Sequence, residues 1–325
     1  MKRPYYLFSN GRLCRRQNTL CLEKATDARS PAAQVPGDGL PLGEVPPAGG
    51  DGASPVPDDA QDDGTPSGTL TGEKVPFPVE NAESVYCFGE IDVNSKLISF
   101  LSQHHVPLFF FDYYGNYTAA LYPKEHLLSG RLTVAQVRHH DAPERRLVLA
   151  RAFVDAALAN IRRVLRYYAT RLDEGGEAVE AAIADIEGLR TQARAADAPD
   201  ALMGLEGQAR RRYYRTWPTL LGPAGEAFSF ERRSRQPPSN PLNALISFGN
   251  SLCYSAVLRQ LYHTALDPTV SYLHAPGDRR FSLALDLAEV FKPLLVDRAI
   301  FRLVKTRQIQ PSDFEDRLGG VYLTE

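Results

Sequence analysis

The 325-residue sequence predicts an α+β protein in which a β-rich amino-terminal domain precedes an all-α domain. Short β-prone runs bounded by turn residues dominate the first part of the chain, whereas helical periodicity persists nearly to the end from about residue 143 onward. The two domains are therefore predicted over residues 1–142 and 143–325. A hydrophobic fraction of 43% is sufficient for packed cores in a chain of this length.

The first predicted element is a hairpin. The stretch "YYLFSNGRLCRRQNTLCLE" has β-prone runs around Asn10-Gly11, the dipeptide that best fits a tight hairpin turn. Strand character resumes in "KVPFPVENAESVYCFGE". Residues 24–74, between these stretches, are rich in Pro, Gly, Ala and Asp and cannot bury enough surface to offset their ordering entropy. We predict that this segment is a disordered insertion within the β-rich domain.

Charge is distributed unevenly along the chain. Residues 24–74 contain nine acids and three basic residues, a net charge of −6, whereas the whole chain carries −2. The remainder therefore carries +4, and the predicted folded part is mildly basic.

The next elements have local signals of their own. "DVNSKLISFLSQHH" predicts a short helix capped by Asn94 or Ser95, and "VPLFFFDYYGNYTAALYP" predicts two strands around Gly115 and Asn116. From residue 143, "RRLVLARAFVDAALANIRRVLRYYATRL" predicts a long amphipathic helix. Asn240, followed by Pro241, predicts the start of a buried central helix behind a basic loop.

Some classes of protein are disfavoured by composition. The sequence has no run of eighteen apolar residues, and "MKRPYYLFSNGR" turns polar too early for a signal peptide, so we expect no membrane association and a cytoplasmic location. The four cysteines have no C-x-x-C spacing, which disfavours a zinc ribbon or a redox motif and predicts reduced thiols.

A helix predicted to start near Ser282 carries two acids on one face. Asp286 and Glu289 are three positions apart and follow His274, so their carboxylates are surface neighbours that repel each other. A cation bound between the acids and His274 would relieve the repulsion. In the alternative interpretation the acids favour the positive end of the helix and are shielded by nearby arginines.

Arginine clusters occur three times in the carboxyl-terminal half. Any one of them could be a solvated helix face, but three together, with interleaved tyrosines, favour binding of phosphates and of nucleic acid. Glu206 precedes the first cluster and is spaced for an ordinary helical ion pair with Arg210. The clusters are Arg210, Arg211, Arg212 and Arg215, then Arg232, Arg233 and Arg235, and Arg162, Arg163 and Arg166.

Five blocks closely resemble a known family: "YYLFSNGRL", "ESVYCFGEIDVNSKLISFLSQHHVPLFFFDYYG", "GLEGQARRRYY", "PPSNPLNALISFGNSLCY" and "SYLHAPGDRRFSLALDLAEVFKP". The chain resembles the CRISPR-associated adaptation nucleases and integrases, the Cas-one family, and the first two blocks resemble the subtype found with type I-B systems. The resemblance implies a prokaryotic protein with a β-rich domain that forms a homodimer and an α-helical catalytic domain.

The resemblance also implies an active site formed by Glu206, His274, Asp286 and Glu289. Glu206, His274 and Glu289 would ligate a divalent ion, with Asp286 as a further acid in the same site. Glu289 stands where the family more often has Asp. Oxygen ligands with one imidazole favour Mg²⁺ or Mn²⁺.

The implied chemistry is metal-dependent phosphoryl transfer on DNA. The 3′ hydroxyl of a captured fragment attacks a phosphodiester at the edge of a CRISPR repeat, and attack by water gives nuclease activity. The implied partners are double-stranded DNA, a second copy of the chain and a small adaptation protein, Cas-two. We expect Arg210, Arg211, Arg232, Arg233 and Arg235 to line the path of the DNA backbone.

The sequence leaves alternatives open for the function of the chain and for the role of its acidic insertion. The chain could be a non-catalytic DNA-binding scaffold of the capture complex, or a general structure-selective repair nuclease. The acidic insertion over residues 24–74 is either a passive linker or a segment that competes with DNA for the basic surface.

Overall fold

The structure, a computed structural model, describes residues 2–25, 70–112, 115–123, 127–172, 175–228, 230, 233–234, 237–275, 281–317 and 319–324. The predicted α+β class is confirmed, because strands dominate the amino-terminal part and helices the rest. The strands are β1 (Arg3–Leu7), β2 (Gly11–Arg16), β3 (Thr19–Ala25), β4 (Leu70–Pro78), β5 (Ala82–Cys87), β6 (Ile91–Asp92), β7 (Leu108–Phe111), β8 (Tyr117–Leu121), β9 (Phe314–Arg317) and β10 (Gly320–Leu323).

The α-helices are α1 (Ser95–Gln103), α2 (Gly130–Asp141), α3 (Pro143–Ala169), α4 (Gly176–Ala195), α5 (Pro199–Arg215), α6 (Trp217–Leu221), α7 (Pro241–Tyr262), α8 (Ser282–Lys292) and α9 (Arg298–Lys305). Short 3₁₀ helices span Val79–Asn81, Gly222–Phe228 and Pro311–Asp313, and a π-helical turn over Pro293–Asp297 joins α8 to α9. Pro293 lacks an N–H group and cannot donate an α-helical hydrogen bond within this segment.

The described strands form two four-stranded sheets and one hairpin. The first sheet has the order β1-β5-β7-β8, the second has the order β4-β3-β2-β6, and β9 pairs with β10. Strands β1, β5 and β7 run parallel to one another, whereas β8 runs antiparallel to β7. The two strands predicted around Gly115 and Asn116 are therefore confirmed.

The hairpin predicted at Asn10-Gly11 is wrong. Strand β1 pairs with β5 instead of β2, so the chain passes from one sheet to the other at these two residues. The side chain of Asn10 accepts a hydrogen bond from the Glu90 N–H (2.8 Å), and a Cβ atom on Gly11 would lie 2.2 Å from the carbonyl oxygen of Glu23. Gly11 thus permits the chain to pass close to the backbone of β3 at Glu23. The turn between β2 and β3 comes later, at residues 17–18.

The predicted insertion is shorter than residues 24–74. Strands β3 and β4 pair antiparallel, and they extend to residue 25 on one side and back to residue 70 on the other. Lys24 lies 2.8 Å from Glu73, and Lys74 lies 3.5 Å from Glu23. The charges of Lys24, Glu73 and Lys74, which had suggested a loop, therefore form ion pairs across the two strands. Residues 26–69, to which the prediction of disorder still applies, lie outside the described residues.

The first sheet is covered on both faces. Side chains alternate along a strand, and in β5 Val85 and Cys87 join the core shared with the second sheet and α1, whereas Tyr86 joins a different cluster. That cluster also contains Phe109 of β7 and Leu258 of α7, so it joins the sheet to the helical part. The contact fixes α7 and α8 against the strands.

The helical core surrounds the 27-residue helix α3, which packs against α4, α5 and α8. The capping signals predicted two helix starts correctly. Asn94 caps α1 by accepting a hydrogen bond from the Leu97 N–H (3.0 Å), and Asn240 caps α7 by accepting one from the Asn243 N–H (2.9 Å). Neither α2 nor the β9–β10 hairpin was predicted from the sequence.

None of the helices in the described ranges is both long enough and apolar enough to cross a lipid bilayer.

Candidate active site

Three elements bring the predicted site residues together. Helix α5 carries Glu206, α8 carries Asp286 and Glu289, and the loop that leads into α8 carries His274. Asn160 of α3 helps to position α8, because its side-chain amide donates a hydrogen bond to the carbonyl oxygen of Val290 (2.8 Å). We use the term acid site for Glu206, His274 and Glu289 together with the cations Arg210 and Lys292.

Asp286 is fully buried and organises the loop before α8. Its Oδ2 atom accepts hydrogen bonds from the N–H groups of Tyr272 (2.8 Å) and Leu273 (2.9 Å). Its Oδ1 atom accepts one from the N–H of His274 (3.0 Å) and contacts the Nδ1 atom of the same residue (2.7 Å). Both oxygens are therefore occupied. The resemblance implied that Asp286 is a further acid in the same site; in the structure its carboxylate holds the loop and the imidazole.

The contact with Asp286 determines which nitrogen of His274 is available. An ionised carboxylate only accepts hydrogen bonds, so Nδ1 carries the hydrogen and Nε2 is left for another partner. The hydrogen bond to Asp286 raises the pKa of His274, although burial opposes the shift. An imidazole fixed through one nitrogen by a carboxylate is an arrangement typical of metal-binding histidines.

The two glutamates are bridged by an arginine. Arg210 Nε lies 3.3 Å from an oxygen of Glu206, and Arg210 Nη2 forms an ion pair with Glu289. Lys292 forms a second ion pair with Glu289. All four side chains are largely buried, with exposed fractions of 10–16%. The charges at this end of the acid site are therefore balanced within the protein.

Burial and neighbouring charges give the two glutamates opposite pKa shifts. Burial raises the pKa of Glu206; the charge of Arg210 counteracts this rise and that of Glu289 adds to it. Burial also disfavours ionised Glu289, but Arg210 and Lys292 together lower its pKa to about 2. Glu289 thus retains its negative charge more strongly than Glu206 does.

The predicted metal cage is not assembled in this arrangement. Within the described part of the chain, no group of three or more His, Cys, Asp or Glu side chains is placed to hold a metal ion. The physical reason at the acid site is Arg210, whose guanidinium pairs with both glutamates. The donor set itself fits Mg²⁺ or Mn²⁺, because it offers two carboxylates and an imidazole oriented through its Nδ1 atom.

The predicted DNA-binding arginines have different environments. Arg211 is exposed on α5, as a phosphate contact requires. Arg210 is largely buried and lies between two acids. Arg233 braces its loop on α7 through hydrogen bonds to the side chains of Asn243 (3.0 Å) and Ser247 (3.0 Å). Arg232 and Arg235 lie outside the described residues.

Sequence reasoning missed two charged residues at the acid site. Lys292 follows Glu289 by three positions, a helical spacing that would have indicated the ion pair. Asp297 is buried close enough to Arg210 for its charge to help raise the pKa of that guanidinium. Burial raises the pKa of Asp297 itself to about 7. Nothing in the local sequence indicates that Asp297 points inward.

Comparisons with known proteins identify the family. Residues 67–325 match the model of the family "CRISPR associated protein Cas1". Over 328 aligned residues, the chain is 41% identical to the CRISPR-associated endonuclease Cas1 2 of Moorella thermoacetica, and the match covers 99% of this chain and 82% of that protein.

Solved structures agree with this assignment. A CAS1 protein from Thermotoga maritima superposes with a TM-score of 0.76 at 34% identity, covering 99% of this chain and 85% of that one.

Two further structures share the fold. A casposase bound to integration product has a TM-score of 0.73 at 19% identity, covering all of this chain and 79% of the other. A Cas6-RT-Cas1–Cas2 complex has a TM-score of 0.70 at 20% identity, covering 99% of this chain and 30% of the other. With a family model that spans most of its length and a full-length relative at 41% identity, the chain belongs to the Cas1 family of CRISPR-associated proteins.

Proposed function

We propose that the protein is a divalent-metal-dependent DNA endonuclease and integrase of CRISPR adaptation. It inserts captured fragments of foreign DNA at the repeat by transesterification. The observation that carries the proposal is the acid site, where two glutamates paired with cations and an oriented imidazole meet in a chain 41% identical to a CRISPR-associated endonuclease.

Glu206, Glu289 and the Nε2 atom of His274 are the ligands that would hold Mg²⁺ or Mn²⁺. Such an ion, when bound, polarises the scissile phosphate and lowers the pKa of the attacking hydroxyl. Binding requires that Arg210 release the glutamates, since its guanidinium pairs with both. Asp286 acts through His274 as a positioning residue.

The cations of the acid site and of its surroundings suit a phosphodiester substrate. Arg210 and Lys292 are donors that can turn from the carboxylates to phosphate oxygens, and a guanidinium can bind these oxygens through two hydrogen bonds. Arg211 is exposed one residue after Arg210, so its side chain is accessible for the proposed contact with the DNA backbone. We propose DNA and Cas2, the small adaptation protein, as partners. The shared fold with a chain of a Cas6-RT-Cas1–Cas2 complex supports the second partner.

A homodimer formed through the β-rich domain is part of the proposal. Strand β1 lies at the edge of the first sheet, and it is followed by an exposed aromatic, Phe8, with 61% of its surface accessible. Tyr6 on the same strand is 48% exposed.

We expect light scattering after size exclusion to give the mass of a dimer. Phe8→Glu should shift the protein to monomer, and Phe291→Glu is the matched control because Phe291 is an exposed phenylalanine of α8. A dimer that persists in Phe8→Glu would contradict this interface.

The non-catalytic scaffold is the second candidate. The observation in its favour is that Arg210 closes the acid site and that no three metal-ligand side chains converge in the described ranges. A scaffold would bind DNA with the acid site in this closed state.

Strand transfer distinguishes the two candidates. A short DNA duplex is incubated with a supercoiled plasmid that carries a CRISPR repeat, together with Cas2 and Mn²⁺. We expect the wild type to join the DNA, and His274→Ala to bind DNA normally but to lose at least about 100-fold in joining rate, as is typical when a group that stabilises the transition state is removed. Chelation of Mn²⁺ should abolish joining by the wild type. If wild type and His274→Ala both bind DNA but neither joins it, the scaffold is supported.

A further inference from the structure

A second cluster of cations lies away from the acid site. A cleft of about 480 Å³ separates the end of α3 from α9, and Arg171, Arg298, Arg302 and Lys305 line it together with two tyrosines. We call this feature the basic cleft. Arg298 and Arg302 are one helical turn apart on α9, and both are exposed.

The tyrosines hold the cations without neutralising them. The guanidinium carbon of Arg171 lies 3.9 Å from the ring centroid of Tyr167, and that of Arg298 lies 5.1 Å from the same centroid. Lys305 Nζ lies 5.2 Å from the ring centroid of Tyr168. Contacts of this kind attract a cation to the ring face but leave its full charge in place. The cleft therefore presents oriented positive charges.

These charges are not balanced by described acids. Within the parts of the chain that the structure describes, no carboxylate lies within ion-pair distance of Arg298, Arg302 or Lys305. Several arginines on other helices are paired with acids, as Arg212 is with Asp185 (3.1 Å). Partial burial lowers the pKa of Lys305, the direction expected of an ammonium group without a compensating partner. An anion would supply the missing charge.

The basic cleft and the acid site share one helical segment. Glu289 of α8 is followed by the π-helical turn and then by Arg298, nine residues later. At the rise of an α-helix, nine residues would span about 13 Å along the axis, and this is an upper bound because Pro293–Asp297 form the wider π-helical turn. One strand of B-form DNA carries a phosphate about every 3.4 Å along its axis, so this distance corresponds to about four phosphates.

We propose that the basic cleft binds the phosphodiester backbone of a DNA strand whose reacting phosphate lies at the acid site. The contact falls about four nucleotides from that phosphate. The cations come from α9 and from Arg171, which lies just after the end of α3, and this spread suits a chain of phosphates better than a single ion. This inference rests on the proposed function for the choice of DNA, but it adds a binding site that does not depend on the metal.

Salt-dependent DNA binding tests the inference. The affinity for a fluorescent duplex with a 3′ single-stranded end is measured by anisotropy over a range of salt concentrations, in EDTA. In Arg298→Ala/Arg302→Ala the plot of log affinity against log salt should become less steep by about 2, since each lost phosphate contact removes about 0.9. Arg298→Lys/Arg302→Lys should retain most of the slope, and Arg212→Ala, which removes an arginine paired with Asp185, should leave it unchanged.

The outcomes separate this inference from the proposed function. If the wild type binds DNA with a steep salt dependence and the double alanine variant has the same slope, the basic cleft is refuted while the proposed function stands. If the wild type does not bind DNA, both are refuted. If the double variant loses only thermal stabilisation by inorganic phosphate and keeps the DNA slope, the cleft binds small anions and the inference is overturned. Both arginines are exposed, so the variants should retain the melting temperature of the wild type.

Discussion

Asp286→Asn is expected to lower the rate of strand transfer by about 100-fold, the upper range for losing a carboxylate that orients a metal-binding histidine. The carboxylate accepts four contacts from residues 272–274, including the His274 imidazole. An asparagine retains one acceptor oxygen and opposes the remaining donors with an NH₂ group. The His274 ring then loses its fixed orientation, so the Nε2 atom is no longer directed to the acid site.

Two further measurements show that Asp286 acts through His274. The contact with Asp286 raises the pKa of the imidazole, so the variant should have a lower His274 pKa in an NMR titration. The free energy of unfolding in urea should fall by about 2–4 kcal/mol, because one or two buried N–H groups lose their acceptor at about 1–3 kcal/mol each. Asp185→Asn, at a half-exposed ion pair, should change neither quantity measurably. An unchanged His274 pKa would contradict this role for Asp286.

Arg210→Gln is expected to destabilise the metal-free protein by about 3–5 kcal/mol, the usual cost of leaving a buried partner charge unpaired. Glu206 and Glu289 would lose the guanidinium that they share. A divalent cation can replace that charge, so Mn²⁺ should raise the melting temperature of the variant more than that of the wild type. In the wild type the ion must compete with Arg210 and therefore binds with lower affinity. An ion that binds only the folded state stabilises it in proportion to the logarithm of its affinity, so the wild type should gain less.

A matched control distinguishes the specific role of Arg210 from the general effect of removing one positive charge. Melting curves are recorded in EDTA and at increasing Mn²⁺ concentration for the wild type, Arg210→Gln and Arg212→Gln. The last variant removes the same charge from an exposed pair on the same helix and should respond to Mn²⁺ as the wild type does. Equal stabilisation of all three proteins by Mn²⁺ would show that Arg210 does not occupy the place of the ion.

Local signals predicted the fold elements well where one or two residues determine the structure. Asn94 and Asn240 satisfy backbone donors three residues away, and such contacts are visible in the sequence. Asn10-Gly11 failed because its local preference for a turn was overridden by pairing between β1 and β5, which are separated by about seventy residues. The charges of Lys24, Glu73 and Lys74 suggested a loop for the same reason, since the partner of each lies on the neighbouring strand.

Contacts between residues far apart in the sequence also limited what could be predicted at the acid site. Helical spacing and family resemblance indicated Glu206, His274 and Glu289, and the structure places all three near one another. The roles of Asp286 and Arg210 could not be predicted, because one depends on three backbone N–H groups and the other on an ion pair between residues 79 positions apart. The resemblance implied only that Asp286 is a further acid in the site, and the arginine cluster suggested that Arg210 lines the path of the DNA.

The pairing of β3 with β4 has a consequence for how this chain can vary in length. Ala25 and Leu70 are cross-strand partners, so the polypeptide leaves and re-enters the sheet at adjacent points. The intervening 44 residues are thus the connection of one hairpin, and a short turn can close the same ladder. Loop-closure entropy grows only with the logarithm of loop length. The position therefore tolerates gain or loss of whole segments during evolution, and it offers a permissive point for inserting a fluorescent domain or an affinity tag.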